Sequence, residues 1–203
     1  MESRDFLAQA APVLPVASFH SDDHARACAR LFAAAGVPAL EVTLRHGDAW
    51  RHFAICRSEM PDALLGVGTV LAIEELESAA READFAVSPG LDPRLCRRAA
   101  AMKLTYLPGV ATPSEIMAAM DLGFLQLKYF PAVASSPSVL SAYRAVFPRV
   151  RFCPTGGIGA DNWQDWVALE NVPCVGGSWV VPSQLALEAD PDGWMRSLRS
   201  LYG

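Results

Sequence analysis

Of the seventeen basic residues in this chain, two are lysines, Lys103 and Lys128. A lysine attacks ketones only as the uncharged amine, and burial or a nearby cation favours that form. Lys128 lies in LQLKYF, residues 125–130, an apolar run of strand length. Strand side chains alternate between faces. Leu125, Leu127 and Tyr129 therefore share one apolar face, and Gln126, Lys128 and Phe130 share the other. The same alternation in ALEVTL, residues 39–44, sets Leu40, Val42 and Leu44 against helices. It turns Glu41 inward with Ala39 and Thr43, and aims Arg45 at the strand's C-terminal mouth. Lys103 follows a helical stretch and reads as a surface charge at a helix C-terminus.

Burying an unpaired ammonium or carboxylate costs several kcal/mol even after relaxation. Two readings of Lys128 and Glu41 follow. One is a buried ion pair that merely fixes the core. The other is an amine nucleophile beside an arginine, with Glu41 as its proton shuttle. Further residues suit anions. Arg45 can grip a carboxylate bidentately. Thr69, at the end of LLGVGT, can offer its hydroxyl and local N–H groups to the same carboxylate. Gly156 and Gly157 in PTGG, then Gly-Gly-Ser ending at Ser178, supply backbone that an oxyanion can approach closely.

These residues must be positioned by elements that recur. A short apolar run, a Gly/Pro/Ser/Asp break and an amphipathic stretch repeat about every 20–25 residues, the pattern of βα units. Eight strands are expected, at residues 13–18, 39–44, 64–69, 85–89, 104–109, 125–130, 150–157 and 174–178. A helix is expected from Ser21-Asp22-Asp23 to Gly36, and another from Thr112, with Pro113 at N1 and Glu115 at N3. A short leading helix over residues 3–10 would cover the bottom. The first βα turn has no G-x-G-x-x-G, and polar residues recur at the C-terminal ends of many strands. A closed (β/α)8 barrel gathers such ends at one mouth, with its phosphate site after strands seven and eight. The fold class expected is thus α/β, a single (β/α)8 TIM barrel domain over residues 1–203 with a short N-terminal helix.

Composition excludes other classes. The net charge is −5 without a basic stripe, so neither nucleic acid nor an anionic membrane surface is an expected partner. The start, MESRDFLAQA, lacks the apolar core of a signal peptide, and no run is long enough to span a membrane, so a cytoplasmic location is expected. Five widely spaced cysteines without a C-x-x-C read as buried hydrophobes. His20, His24, His46 and His52 form no metal-ligand pattern, and no metal is expected. His46 reads as a solvated loop residue. No Gly-x-Ser-x-Gly elbow is present, and Cys153 has no evident histidine partner.

The motifs PVLPV, LEVTLR, GVGTV, FAVSPG, YLPGVATPSE, LKYFPA, RFCPTGGI and VGGSWVVP follow one another over nearly the whole chain. In these the chain resembles the bacterial 2-keto-3-deoxy-6-phosphogluconate (KDPG) aldolases, which also act on 4-hydroxy-2-oxoglutarate. The resemblance implies Lys128 as the Schiff-base lysine and Glu41 as general acid/base. It implies Arg45 and Thr69 as holders of the pyruvate carboxylate, and Gly156, Gly157 and Ser178 as the phosphate site. It also implies Pro89 and Phe130 as apolar pocket walls, a homotrimer, and no cofactor. The substrates implied are a 2-keto-3-deoxy sugar acid phosphate and pyruvate. A 2-dehydro-3-deoxy-6-phosphogalactonate aldolase, a metal-assisted aldolase or phosphosugar epimerase, and a non-catalytic phosphometabolite-binding barrel are the competing readings.

Overall fold

A computed structural model describes residues 5–203 of the chain. It runs α1 (Phe6–Gln9), β1 (Val13–Ala17), α2 (Asp22–Ala35), β2 (Ala39–Thr43), α3 (Ala49–Glu59), β3 (Leu64–Gly68), α4 (Ile73–Glu82) and β4 (Phe85–Val87). It continues with α5 (Pro93–Met102), β5 (Thr105–Leu107), β6 (Gly109–Val110), α6 (Pro113–Asp121), β7 (Gln126–Tyr129) and α7 (Pro137–Val146). The last elements are β8 (Arg151–Pro154), α8 (Trp163–Val167), β9 (Val175–Gly177), α9 (Gln184–Ala189) and α10 (Pro191–Tyr202).

The strand pairs are parallel and lie in two sheets, ordered β5-β4-β3-β2-β1-β9 and β6-β7-β8. Each expected strand is found, the fifth in two pieces. Pro108 divides it, having no N–H to give a ladder. On one side the Ser88 N–H donates to the Leu107 carbonyl; on the other the Lys128 N–H donates to the Pro108 carbonyl. The segment 105–110 therefore borders both sheets. At the other edges, Thr155 and Gly176 form a single parallel bridge.

Strand residues are buried on both faces, as parallel sheets covered by helices require. Successive residues enter different apolar clusters. Leu40, Val42, Ala86, Leu127 and Phe152 pack with the helices. Ala39, Phe85, Val87 and Cys153 instead share a second cluster with Phe6 and Leu7 of α1. Helix α1 closes this inner cluster from the N-terminal ends of the strands. The Leu7 N–H donates to Gln126 Oε1 at 2.9 Å, and the Phe6 ring lies 4.4 Å from that of Phe85. Of the leading helix expected over residues 3–10, residues 3 and 4 lie outside the described residues.

Local signals place the helices. The Ser21 side chain accepts the His24 N–H to start α2, and Gly36 ends it at φ 74°. Thr112 and Glu115 cap each other's backbone ahead of α6, with Pro113 in its first turn. Lys103 terminates α5 in the left-handed region at φ 57° and is exposed, as expected of a surface charge.

The five cysteines are free and buried. Burial pushes the thiols of Cys28 and Cys56 up to about 12 and that of Cys96 up to about 11. The thiolate is the reactive form. Iodoacetamide at pH 8 is therefore expected to leave Cys28, Cys56 and Cys96 unmodified in the native protein and to label them after unfolding. Rapid native labelling of any of the three, read by peptide mass mapping, would refute this placement. Among the described residues, no helix is long and apolar enough to cross a membrane.

Candidate active site

The inner face of β7 carries Lys128 and that of β2 carries Glu41. Lys128 Nζ lies 3.5 Å from Glu41 Oε1, with the side chains 7% and 2% exposed. The alternation read from the sequence thus brings the two together. Glu41 Oε1 accepts no hydrogen bond from the described residues. Leaving a buried acceptor unmatched costs about 1–3 kcal/mol. The carboxylate is kept beside the amine with capacity to spare for a proton or a substrate hydroxyl.

Room for that carboxylate comes from β3. Thr43 pairs with Gly68, and a Cβ at Gly68 would stand 1.8 Å from Glu41 Oε1. Gly68→Ala must therefore displace the Glu41 carboxylate, and overpacking of this kind costs about 1–3 kcal/mol. A lowered thermal unfolding midpoint is expected. An unchanged midpoint would mean that the β2–β3 pair has room for a methyl group at position 68.

Beside Lys128 opens a cavity of about 420 Å³, lined among others by Arg45, Lys128, Phe130, Gly156, Gly157 and Ser178. The Phe130 ring centroid is 5.4 Å from Lys128 Nζ and forms an apolar wall beside the amine. Arg45 is exposed just beyond β2, at the mouth. Gly156 and Gly157 adopt φ 91° and 80°, which glycine takes without strain. Their turn is locked: the N–H groups of Ala132 and Val133 donate to the carbonyls of Thr155 and Gly156, both at 2.8 Å. A Cβ on Gly157 would stand 2.4 Å from that of Val133. Ser178 is exposed just after β9. No carboxylate is among the lining residues of this cavity, while the Arg45 guanidinium is, so the mouth favours anions.

Three expected site residues, Glu41, Thr69 and Pro89, stand apart from the lining. Thr69 and Pro89 follow β3 and β4, whereas the cavity walls come from the ends of β1, β2, β7, β8 and β9. Thr69 nonetheless has φ 64°, an outlying conformation for a β-branched residue. Such strain, about 1–3 kcal/mol, concentrates at functional sites. It sets Thr69 directly after the glycine that accommodates Glu41.

Ser18, Thr43, Thr155, His20 and His24 also line the cavity and were not singled out from the sequence. The hydroxyls of Ser18 and Thr43 are hydrogen-bonded at 2.5 Å. Strand alternation marks Thr43 as inward like Glu41, and Thr155 falls inside PTGG, so both carried a signal. His20 and His24 carry none, because a histidine in a loop or at a helix start has no pattern that sets it apart from other polar residues. Among the described residues no group of histidine, cysteine and acidic side chains is arranged to hold a metal. His46 is exposed, its ring 5.7 Å from that of His20.

Comparison with known proteins places the chain in a class. The family described as KDPG and KHG aldolase matches residues 5–195. The chain is 42% identical to the KHG/KDPG aldolase of Escherichia coli (strain K12) over 180 residues, covering 88% of this chain and 84% of that one. The KDPG aldolase of Legionella pneumophila, with pyruvate captured at low pH as a covalent carbinolamine, superposes with a TM-score of 0.90 at 34% identity, covering 97% of each chain. The 2-keto-3-deoxy-6-phosphogluconate aldolase of Zymomonas mobilis ZM4 with 3-phosphoglycerate also gives 0.90, at 36% identity, covering 98% of this chain and 94% of that one. The protein is an aldolase, a carbon–carbon lyase. It belongs to the KDPG and KHG aldolase family.

Proposed function

We propose that this protein is a class I aldolase cleaving 2-dehydro-3-deoxy-6-phosphogluconate to pyruvate and glyceraldehyde 3-phosphate, and 4-hydroxy-2-oxoglutarate to pyruvate and glyoxylate. The observation that carries this is the buried amine of Lys128, 3.5 Å from Glu41, at the foot of a cavity free of acidic walls. The uncharged Lys128 amine attacks the C2 ketone. Glu41 transfers protons so that the carbinolamine loses water as an iminium. The iminium accepts the electron pair of the C3–C4 bond as Glu41 takes the proton of the C4 hydroxyl. The aldehyde leaves, the enamine is protonated at C3, and water releases pyruvate from Lys128. No metal is required, because the iminium itself is the electron sink.

Arg45 and Thr69 hold the carboxylate in this account, and Phe130 and Pro89 flank the apolar C3 side. Gly156, Gly157 and Ser178 hold the phosphate. Fixing both ends of the substrate brings C2 to the amine, an advantage that can reach several powers of ten. The two sheets are read as one closed (β/α)8 barrel. The shared segment 105–110 and the Thr155–Gly176 bridge support that closure. The chain is read as a single domain acting as a cytoplasmic homotrimer.

The test is pyruvate release from each substrate, followed by coupled reduction with lactate dehydrogenase, with and without a chelator. Turnover indifferent to chelator is expected. Binding of the phosphorylated substrate without turnover would favour a non-catalytic barrel, and loss of activity to chelator would favour a metal-assisted aldolase.

A further inference from the structure

His24 sits in the first turns of α2 and is 5% exposed, yet it is among the residues lining the cavity. Its Nε2 lies 2.8 Å from the Pro182 carbonyl, 158 residues away in the chain. A carbonyl can only accept, so Nε2 carries the proton and donates. The Phe19 ring meets the imidazole edge-on at 5.4 Å and 85°, which fixes its plane. The Cys28 thiol, one turn further along α2, approaches the same carbonyl at 3.7 Å. Pro182 ends the loop that leaves β9 at Ser178 and enters α9 at Ser183. Within that loop the Val181 N–H donates back to the Ser178 carbonyl at 3.1 Å. A buried donor on α2 thus reaches across the β1–β9 edge to hold the far end of a turn whose near end is Ser178.

We propose that His24 is a positioning residue that fixes the Ser178–Ser183 loop through Pro182, and so sets affinity for the substrate's distal phosphoryl group. The inference rests on the reading of the Ser178 end as the phosphate side of an aldolase site. A buried hydrogen bond of this kind fastens one segment, so its loss should be felt where that segment touches substrate and little at Lys128.

The expected result is a kinetic split. His24→Ala should raise KM for the phosphorylated substrate about tenfold relative to KM for 4-hydroxy-2-oxoglutarate, which has no phosphate, while kcat stays within about twofold; that split corresponds to the free energy of one hydrogen bond. His24→Gln places an amide N–H near the position of Nε2 and should restore the wild-type ratio. His24→Asn is too short and should behave like His24→Ala. The Gln and Asn pair keeps the test decisive if His24→Ala fails to fold. Inhibition by inorganic phosphate should weaken in parallel in the Ala and Asn variants. Equal KM changes for both substrates, or none for either, would overturn the role of His24 while leaving the aldolase reading intact. A wild-type protein that cleaves neither substrate would instead overturn the aldolase reading.

Discussion

Lys128→Met is expected to abolish aldol cleavage, with kcat falling by about 10⁴-fold or more, the scale seen when a covalent nucleophile is removed. Methionine keeps much of the volume and none of the amine, so neither carbinolamine nor iminium can form. The same change leaves the Glu41 carboxylate, 2% exposed, without the amine 3.5 Å away. Stranding a buried charge costs about 3–5 kcal/mol, so the single variant should also melt earlier. Adding Glu41→Gln removes the stranded charge and should recover most of that stability without recovering activity. The double variant therefore separates chemistry from folding. A pair that merely fixed the core would leave a stable double variant with its turnover intact.

Glu41→Gln alone should lower kcat by about 10²–10⁴-fold, the contribution of a positioned acid or base. Glutamine preserves shape and hydrogen bonding but cannot carry the proton from the C4 hydroxyl. Slow imine formation with pyruvate should survive, because Lys128 remains. Residual trapping of pyruvate together with lost cleavage would mark Glu41 as the proton shuttle. Wild-type cleavage in Glu41→Gln, measured by pyruvate release, would remove it from the mechanism.

Much of this site was legible before any coordinates. Period-two alternation sufficed to set Glu41 and Lys128 inward, because each sits between apolar neighbours whose burial against helices leaves one direction for the charged side chain. Gly36 and the Thr112–Glu115 box fixed helix ends because their signals act within one turn. What escaped depends on distance or on backbone detail. The break at Pro108 changes which sheet each half of the fifth strand joins, and that depends on neighbours remote in sequence. The left-handed Thr69 contradicts local preference, so no local rule could find it. The need for glycine at position 68 arises from Glu41 on an adjacent strand. The His24–Pro182 bond joins the two ends of the chain, and a histidine early in an amphipathic helix looks like any other polar residue.

Borohydride reduction of the protein in the presence of pyruvate, followed by peptide mass mapping, tests the proposed chemistry most directly. One chain carries two lysines, one exposed at the end of α5 and one buried beside Glu41. A stable pyruvyl adduct on the peptide containing Lys128, and not on that containing Lys103, is the predicted result. An adduct on Lys103, or no adduct from a preparation that cleaves substrate, would contradict it.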